Sequence, residues 1–116
     1  MENEHSLKRW DNVETLIIDE VSMLSGELFT KLECIARAIK ETSTPFGGIQ
    51  LIACGDFLQL PPVPDKSPCA SGKVTQKPPK RVSYAFESEA WHRCDIEIAQ
   101  LTQVHRQPNG RFVELL

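Results

Sequence analysis

Thr15-Leu16-Ile17-Ile18-Asp19-Glu20 and Ile49-Gln50-Leu51-Ile52-Ala53-Cys54-Gly55-Asp56 decide the fold. Each is a short apolar run without alternation that closes on an acid, the pattern of a strand buried on both faces in a parallel sheet. Between them, residues 22–25 supply helix-start chemistry. Leu24, Leu28, Leu32, Ile35, Ala36 and Ile39 then recur at helical spacing and predict one apolar face. Ser25 is placed to cap that helix, Glu27 to occupy its first turn and Lys40 its last. Pro45 ends it and Gly47-Gly48 turns the chain back. Strand, amphipathic helix and strand predict a right-handed βαβ unit. Asp19 and Asp56 then both stand at carboxyl ends of parallel strands, the edge where open α/β sheets bind ligands.

Outward from this core the signals are plainer. Residues 1–12 are polar and read as a lead-in segment. Leu60-Pro61-Pro62-Val63-Pro64 cannot be a central strand, because three prolines lack amide donors. Residues 64–83 read as an exposed, flexible, basic insertion carrying Lys66, Lys73, Lys77, Lys80 and Arg81. A short helix is expected over 87–94 with Ala90 and Trp91 facing inward, and a strand with one wet face over 96–101. Pro108-Asn109-Gly110 is a turn, and 111–116 begin a helical pattern without a stop signal.

The chain has 116 residues, 41% hydrophobic and 25% charged, the size and composition of one small globular domain at most. Thirteen Lys and Arg against sixteen Asp and Glu give a net charge of -3, which argues against binding nucleic acid by bulk charge alone. No apolar run approaches the roughly eighteen residues of a membrane helix, so no membrane association is expected. Cys34, Cys54, Cys69 and Cys94 form no C-x-x-C pair and no zinc framework. Cys34 and Cys54 lie in apolar stretches and read as small core hydrophobes in a reducing, intracellular setting.

The chemistry gathers at the strand ends. An apolar strand closing in Asp-Glu has the pattern of a Walker B element. Asp19 would help position Mg2+, partly through water, and Glu20 would polarise an attacking water. In Gly55-Asp56-Phe57-Leu58-Gln59-Leu60-Pro61-Pro62-Val63, the glycine lets the backbone leave the sheet tightly. Gln59 offers both a donor and an acceptor, suited to sensing a phosphate or orienting water.

These residues carry a family resemblance. Asp19-Glu20-Val21-Ser22-Met23 and the Gly55–Val63 stretch resemble motifs two and three of superfamily-one DNA helicases. Leu28-Phe29-Thr30-Lys31-Leu32-Glu33, Ile35-Ala36-Arg37 and Pro45-Phe46-Gly47-Gly48-Ile49-Gln50-Leu51 resemble the signature of the Pif-one (petite integration frequency) helicases, relatives of RecD. Leu101-Thr102-Gln103-Val104-His105-Arg106-Gln107 resembles the family's motif four, with His105 where an aromatic is usual; Ala85-Phe86-Glu87-Ser88 and Trp91 also fit. The resemblance implies an α/β fold, a partial RecA-like P-loop NTPase domain with a parallel sheet. It assigns Asp19 to Mg2+ and Glu20 to the catalytic base. Gln59 becomes the γ-phosphate sensor, and Arg106 a γ-phosphate contact. It further implies ATP hydrolysis, 5′-to-3′ movement on single-stranded and forked DNA, and work in DNA repair, recombination and telomere maintenance. The nucleus or mitochondrion of a eukaryote, or otherwise the cytoplasm, is the setting expected.

A P-loop of the form G-x-x-x-x-G-K-[ST] does not occur in the 116 residues; Gly72-Lys73 lies downstream and is followed by Val74. The expectation is therefore the carboxyl-terminal part of a first RecA-like domain, spanning residues 1–116, with the P-loop strand and the second RecA-like domain missing. Such a chain by itself is expected to be inactive. Two other readings compete: a non-catalytic helicase remnant that binds DNA or protein, and an unrelated α/β protein using Asp19 and Asp56 for metal-dependent phosphate chemistry.

Overall fold

The polar lead-in is a helix, α1 (Glu2–Asn12), in the computed structural model, which describes residues 2–63, 82–103 and 105. Trp10 accounts for the docking of α1. With Val13 just beyond the helix, it is half-buried against the core, while Leu7 is exposed. Among the described side chains of the helix, Leu7, Lys8, Arg9, Asp11 and Asn12 are exposed, so Trp10 is the aromatic that meets the core.

The two apolar runs form β1 (Thr15–Ile18) and β2 (Gln50–Ala53), paired in parallel with Thr15 opposite Gln50 and Ile18 opposite Ala53. The ladder continues past both ends: the Gln50 amide donates to the Glu14 carbonyl at 2.9 Å, and the Cys54 amide to Ile18 at 2.8 Å. The helix α2 (Gly26–Ile39) lies in the connection, as the periodicity predicts. Burial on both sheet faces is not observed among the described residues. Leu16, Ile18, Leu51 and Ala53 pack on the core, whereas Thr15, Gln50, Ile52 and Ile17, the last 65% accessible, face outward. An unalternating run is the pattern of strands covered on both faces, whereas the described residues cover only one face here.

Ser25 caps α2, its hydroxyl accepting the Leu28 amide at 3.2 Å, and Glu27 pairs with Lys31 across one turn. The buried line on α2 differs from the expected one. Phe29, Glu33 and Ala36 are fully buried, while Leu28 and Ile35 are about half exposed. Phe29 is the pivot, its ring 5.3 Å from Phe46 edge-on and 5.2 Å from Trp91. The largest side chain takes the centre of the core, and the helix turns to put it there. Val21, Ile49, Ala85 and Ala90 complete that core.

Beyond the insertion the chain is docked earlier than expected. Residues 64–81 lie outside the described residues, but Ser83 already accepts the Gly26 amide at 2.9 Å. Gly26 is needed there, since a Cβ would stand 2.8 Å from the Tyr84 carbonyl oxygen and 2.9 Å from Ser83 Oγ. The expected short helix is α3 (Glu89–Arg93), capped by Ser88, with Ala90 buried and Trp91 half-buried on the core. Fully buried Glu33 joins α2 to α3: one carboxylate oxygen meets Arg37 Nε at 2.7 Å, the other Arg93 Nη2 at 3.2 Å. The strand expected over 96–101 is not formed. Ile98 and Leu101 are exposed, and the backbone finds no ladder partner among the described residues. Alternation marks a chain that could pair; pairing needs a neighbouring strand. No described helix is long and apolar enough to cross a membrane.

Candidate functional site

At the end of β1 the chain bends sharply. Glu20 adopts a left-handed conformation, φ 50° and ψ 47°, and a short 3₁₀ turn follows over Val21–Met23. Asp19 steadies the bend, its Oδ1 accepting the Glu20 amide at 2.9 Å. The Val21 amide then donates to the Cys54 carbonyl at 2.9 Å, which fastens the exit of β1 to that of β2. Gly55 makes this approach possible: at φ 152° a Cβ would sit 3.0 Å from the Val21 nitrogen and 3.5 Å from the Glu20 carbonyl carbon. The Asp-Glu pair and the Gly-Asp turn are thus neighbours on one sheet edge, as the βαβ reading predicts. Ser22, within the bend, is wholly buried, and its hydroxyl has no hydrogen-bond partner among the described residues.

Asp56 closes the following loop on itself. Its Oδ1 accepts the Leu58 amide at 2.9 Å and its Oδ2 accepts Gln59 Nε2 at 3.1 Å, while the Gln59 amide donates to the Asp56 carbonyl at 3.1 Å. The Leu58 amide first, and then the Gln59 side chain, hold the Asp56 carboxyl below its ordinary value, because both favour the charged form.

Phe57, which motif spacing passes over, anchors the loop. Its ring meets Phe86 edge-on at 4.8 Å, Trp91 at 5.9 Å and Tyr84 at 6.0 Å, and Tyr84 and Phe86 stack on each other at 5.2 Å. No local pattern singles Phe57 out, since it stands between Asp56 and the apolar Leu58; its partners lie about thirty residues on, across the insertion. Leu58 and Leu60 project into solvent on either side of Gln59.

Of the residues expected to carry chemistry, Asp19, Glu20 and Gln59 come to this edge. Arg106 lies outside the described residues, and His105 is exposed. The cysteines correct an expectation: Cys34 and Cys54 are exposed rather than buried, Cys34 lying 3.7 Å from Arg37 on the wet side of α2. Cys94 is the half-buried one, and burial followed by the Glu33 charge pushes its thiol up, away from the reactive thiolate. Cys69 lies outside the described residues. The concavity lined by Arg9, Trp10, Val13 and Leu16 involves the opposite, amino-terminal part of β1 and none of the site residues.

A parallel βαβ layer with an Asp-Glu bend fastened to a Gly-Asp-x-x-Gln loop is part of a RecA-like domain. The chain belongs to the PIF1-like helicase family, whose sequence profile matches residues 1–114. It is 47% identical over 107 residues to the ATP-dependent DNA helicase PIF1 of Homo sapiens, covering 92% of this chain and 15% of that protein. The crystal structure of Pif1 helicase from Candida albicans superposes with a TM-score of 0.78 at 39% identity, over 98% of this chain and 23% of that one. Pif1 helicase from Bacteroides, solved in complex with ADP-AlF3 and ssDNA, gives a TM-score of 0.77 at 28% identity, over 96% of this chain and 25% of that one. The chain therefore spans about a seventh of the human relative and about a quarter of the solved ones.

Proposed function

We propose that residues 1–116 are the carboxyl-terminal part of the first RecA-like domain of an ATP-dependent DNA helicase. ATP hydrolysis would drive movement on single-stranded DNA and unwinding of forked duplexes, with the P-loop and second RecA-like domain supplied by other parts of a longer protein. The observation that carries this reading is the Val21–Cys54 hydrogen bond, which sets Asp19-Glu20 beside the Asp56–Gln59 loop.

Phosphoryl transfer needs charge compensation on the transferring group, a base or orienter for the attacking water, and close positioning. Glu20 is the base in this reading, Gln59 the group that answers to the terminal phosphate and its water, and Arg106 a guanidinium for the charge on the transferring group. The residues present fit Mg2+. Asp19 spends Oδ1 on the Glu20 amide and keeps Oδ2, and the described residues hold no cluster of three or more acids, histidines or cysteines. One carboxylate suits an ion that retains several waters and binds through one or two carboxylates and substrate phosphates. When bound, Mg2+ neutralises charge developing on the phosphates.

The test is steady-state ATPase in the full-length helicase carrying this chain. Glu20→Gln keeps the size of the side chain and removes the base, so kcat falls by about 10²- to 10⁴-fold while nucleotide binding persists. An unchanged kcat would remove Glu20 from the chemistry and with it this reading.

A further inference from the structure

We propose that Asp56 is the positioning residue of the sensor: it sets which end of the Gln59 amide faces the reacting phosphate and water, and itself touches neither nucleotide nor metal. This rests on the reading of Gln59 as the sensor. A glutamine side chain ends in two groups of nearly equal size and opposite character, a carbonyl that accepts and an NH2 that donates. Unheld, it rotates between them. An ionised carboxylate only accepts, so at 3.1 Å from Asp56 Oδ2 the Gln59 side chain must turn Nε2 inward. One N–H and the carbonyl oxygen remain for a phosphate oxygen and a water.

The clasp is itself held. Asp56 Oδ1 is taken by the Leu58 amide and Oδ2 by Gln59, so the loop uses both carboxylate oxygens. Phe57, between them in sequence, is seated among Tyr84, Phe86 and Trp91 and keeps the loop's base still. Position in sequence puts Asp56 beside Asp19 on the sheet edge and invites a metal role. The hydrogen bonds turn it instead onto its own loop.

The experiment is a double-mutant cycle on DNA-stimulated ATPase in the full-length helicase. Asp56→Asn keeps an acceptor for the Leu58 amide but sets an NH2 against Gln59, whose amide must then turn over. The expected result is a kcat lower by about 10- to 100-fold, the scale of a misplaced catalytic group, with KM for ATP, Mg2+ requirement and melting temperature unchanged. In a Gln59→Ala background the same substitution has no further effect, because nothing is left to orient. Where Asp56→Asn melts early, Asp56→Ser runs the same cycle, since its hydroxyl serves Leu58 and is too short to hold Gln59. An unchanged kcat, a loss that persists without Gln59, or a raised Mg2+ requirement each overturns the proposal. If Gln59→Ala alone leaves kcat and its DNA stimulation intact, the sensor reading itself has failed, a result separate from any of these.

Discussion

Glu20 stands in a conformation that L-residues enter at a cost of roughly 1–2 kcal/mol, and it does so where β1 hands over to the buried turn at Val21. The Asp19 carboxylate offsets part of that cost by taking the Glu20 amide, and the Val21–Cys54 bond locks the bend. Such strain held by its surroundings is characteristic of functional sites. The identities of Asp19, Glu20 and Gln59 were legible from their places after apolar runs. The bend was not, because nothing in the letters Asp-Glu demands a left-handed backbone. Gly55 is the residue on which the junction depends. Gly55→Ala would drive a Cβ to 3.0 Å from the Val21 nitrogen and 3.2 Å from Val21 Cγ1 at a φ that only glycine tolerates well. The expected loss is about 1–3 kcal/mol, read as a lower melting temperature; an unaltered melt would show that the two strand ends are not clamped as described.

At the scale of elements, β1, β2, α2 and its Ser25 cap follow from local pattern, because each depends on residues within a few positions. The buried face of α2 does not. A charged residue at a helical position reads as solvent-facing, yet Glu33 is the most enclosed charge described, since Arg37 lies one turn on and Arg93 sixty residues on. The two guanidiniums are only partly exposed and give the buried carboxylate its counter-charge, which is the condition for tolerating a charge in a core. The strand expected over 96–101 fails for the converse reason: its alternation is real but its partner is not among the described residues. Phe29 carries the packing, touching Phe46 from the turn before β2 and Trp91 from α3. Phe29→Ala should cost about 3–5 kcal/mol, the range for emptying a buried aromatic site, measured by denaturant unfolding. A loss below about 1 kcal/mol would mean that α3 is not held through this ring.

For the molecule as a whole, the fold fastens the Asp-Glu bend to the Gly-Asp turn at one end of the parallel sheet. The 116 residues include no G-x-x-x-x-G-K-[ST] stretch, the backbone cradle and lysine that hold the β- and γ-phosphates in P-loop phosphoryl transfer. The 116-residue chain by itself is therefore expected to release no phosphate from ATP, with or without Mg2+ and single-stranded DNA. Turnover that disappears in Glu20→Gln would contradict this. The outward sheet face leaves Ile17 and Ile52 accessible beside Thr15 and Gln50, and the chain spans about a seventh of the human relative's length.

Sequence by itself determined the parallel βαβ unit, the capped helix, and the acids and glutamine after the strands, because these rest on short-range periodicity and spacing, while the family was marked by the resemblance of whole motifs. Only tertiary structure decided that Glu33 is the buried counter-ion of two arginines, that Phe57 anchors the Asp56–Gln59 loop, and that Asp56 turns to Gln59 rather than to the end of β1. Those three outcomes depend on partners or backbone angles that no local pattern encodes: two guanidiniums on different helices, an aromatic cup built beyond the insertion, and a loop that bends its own carboxylate back onto itself.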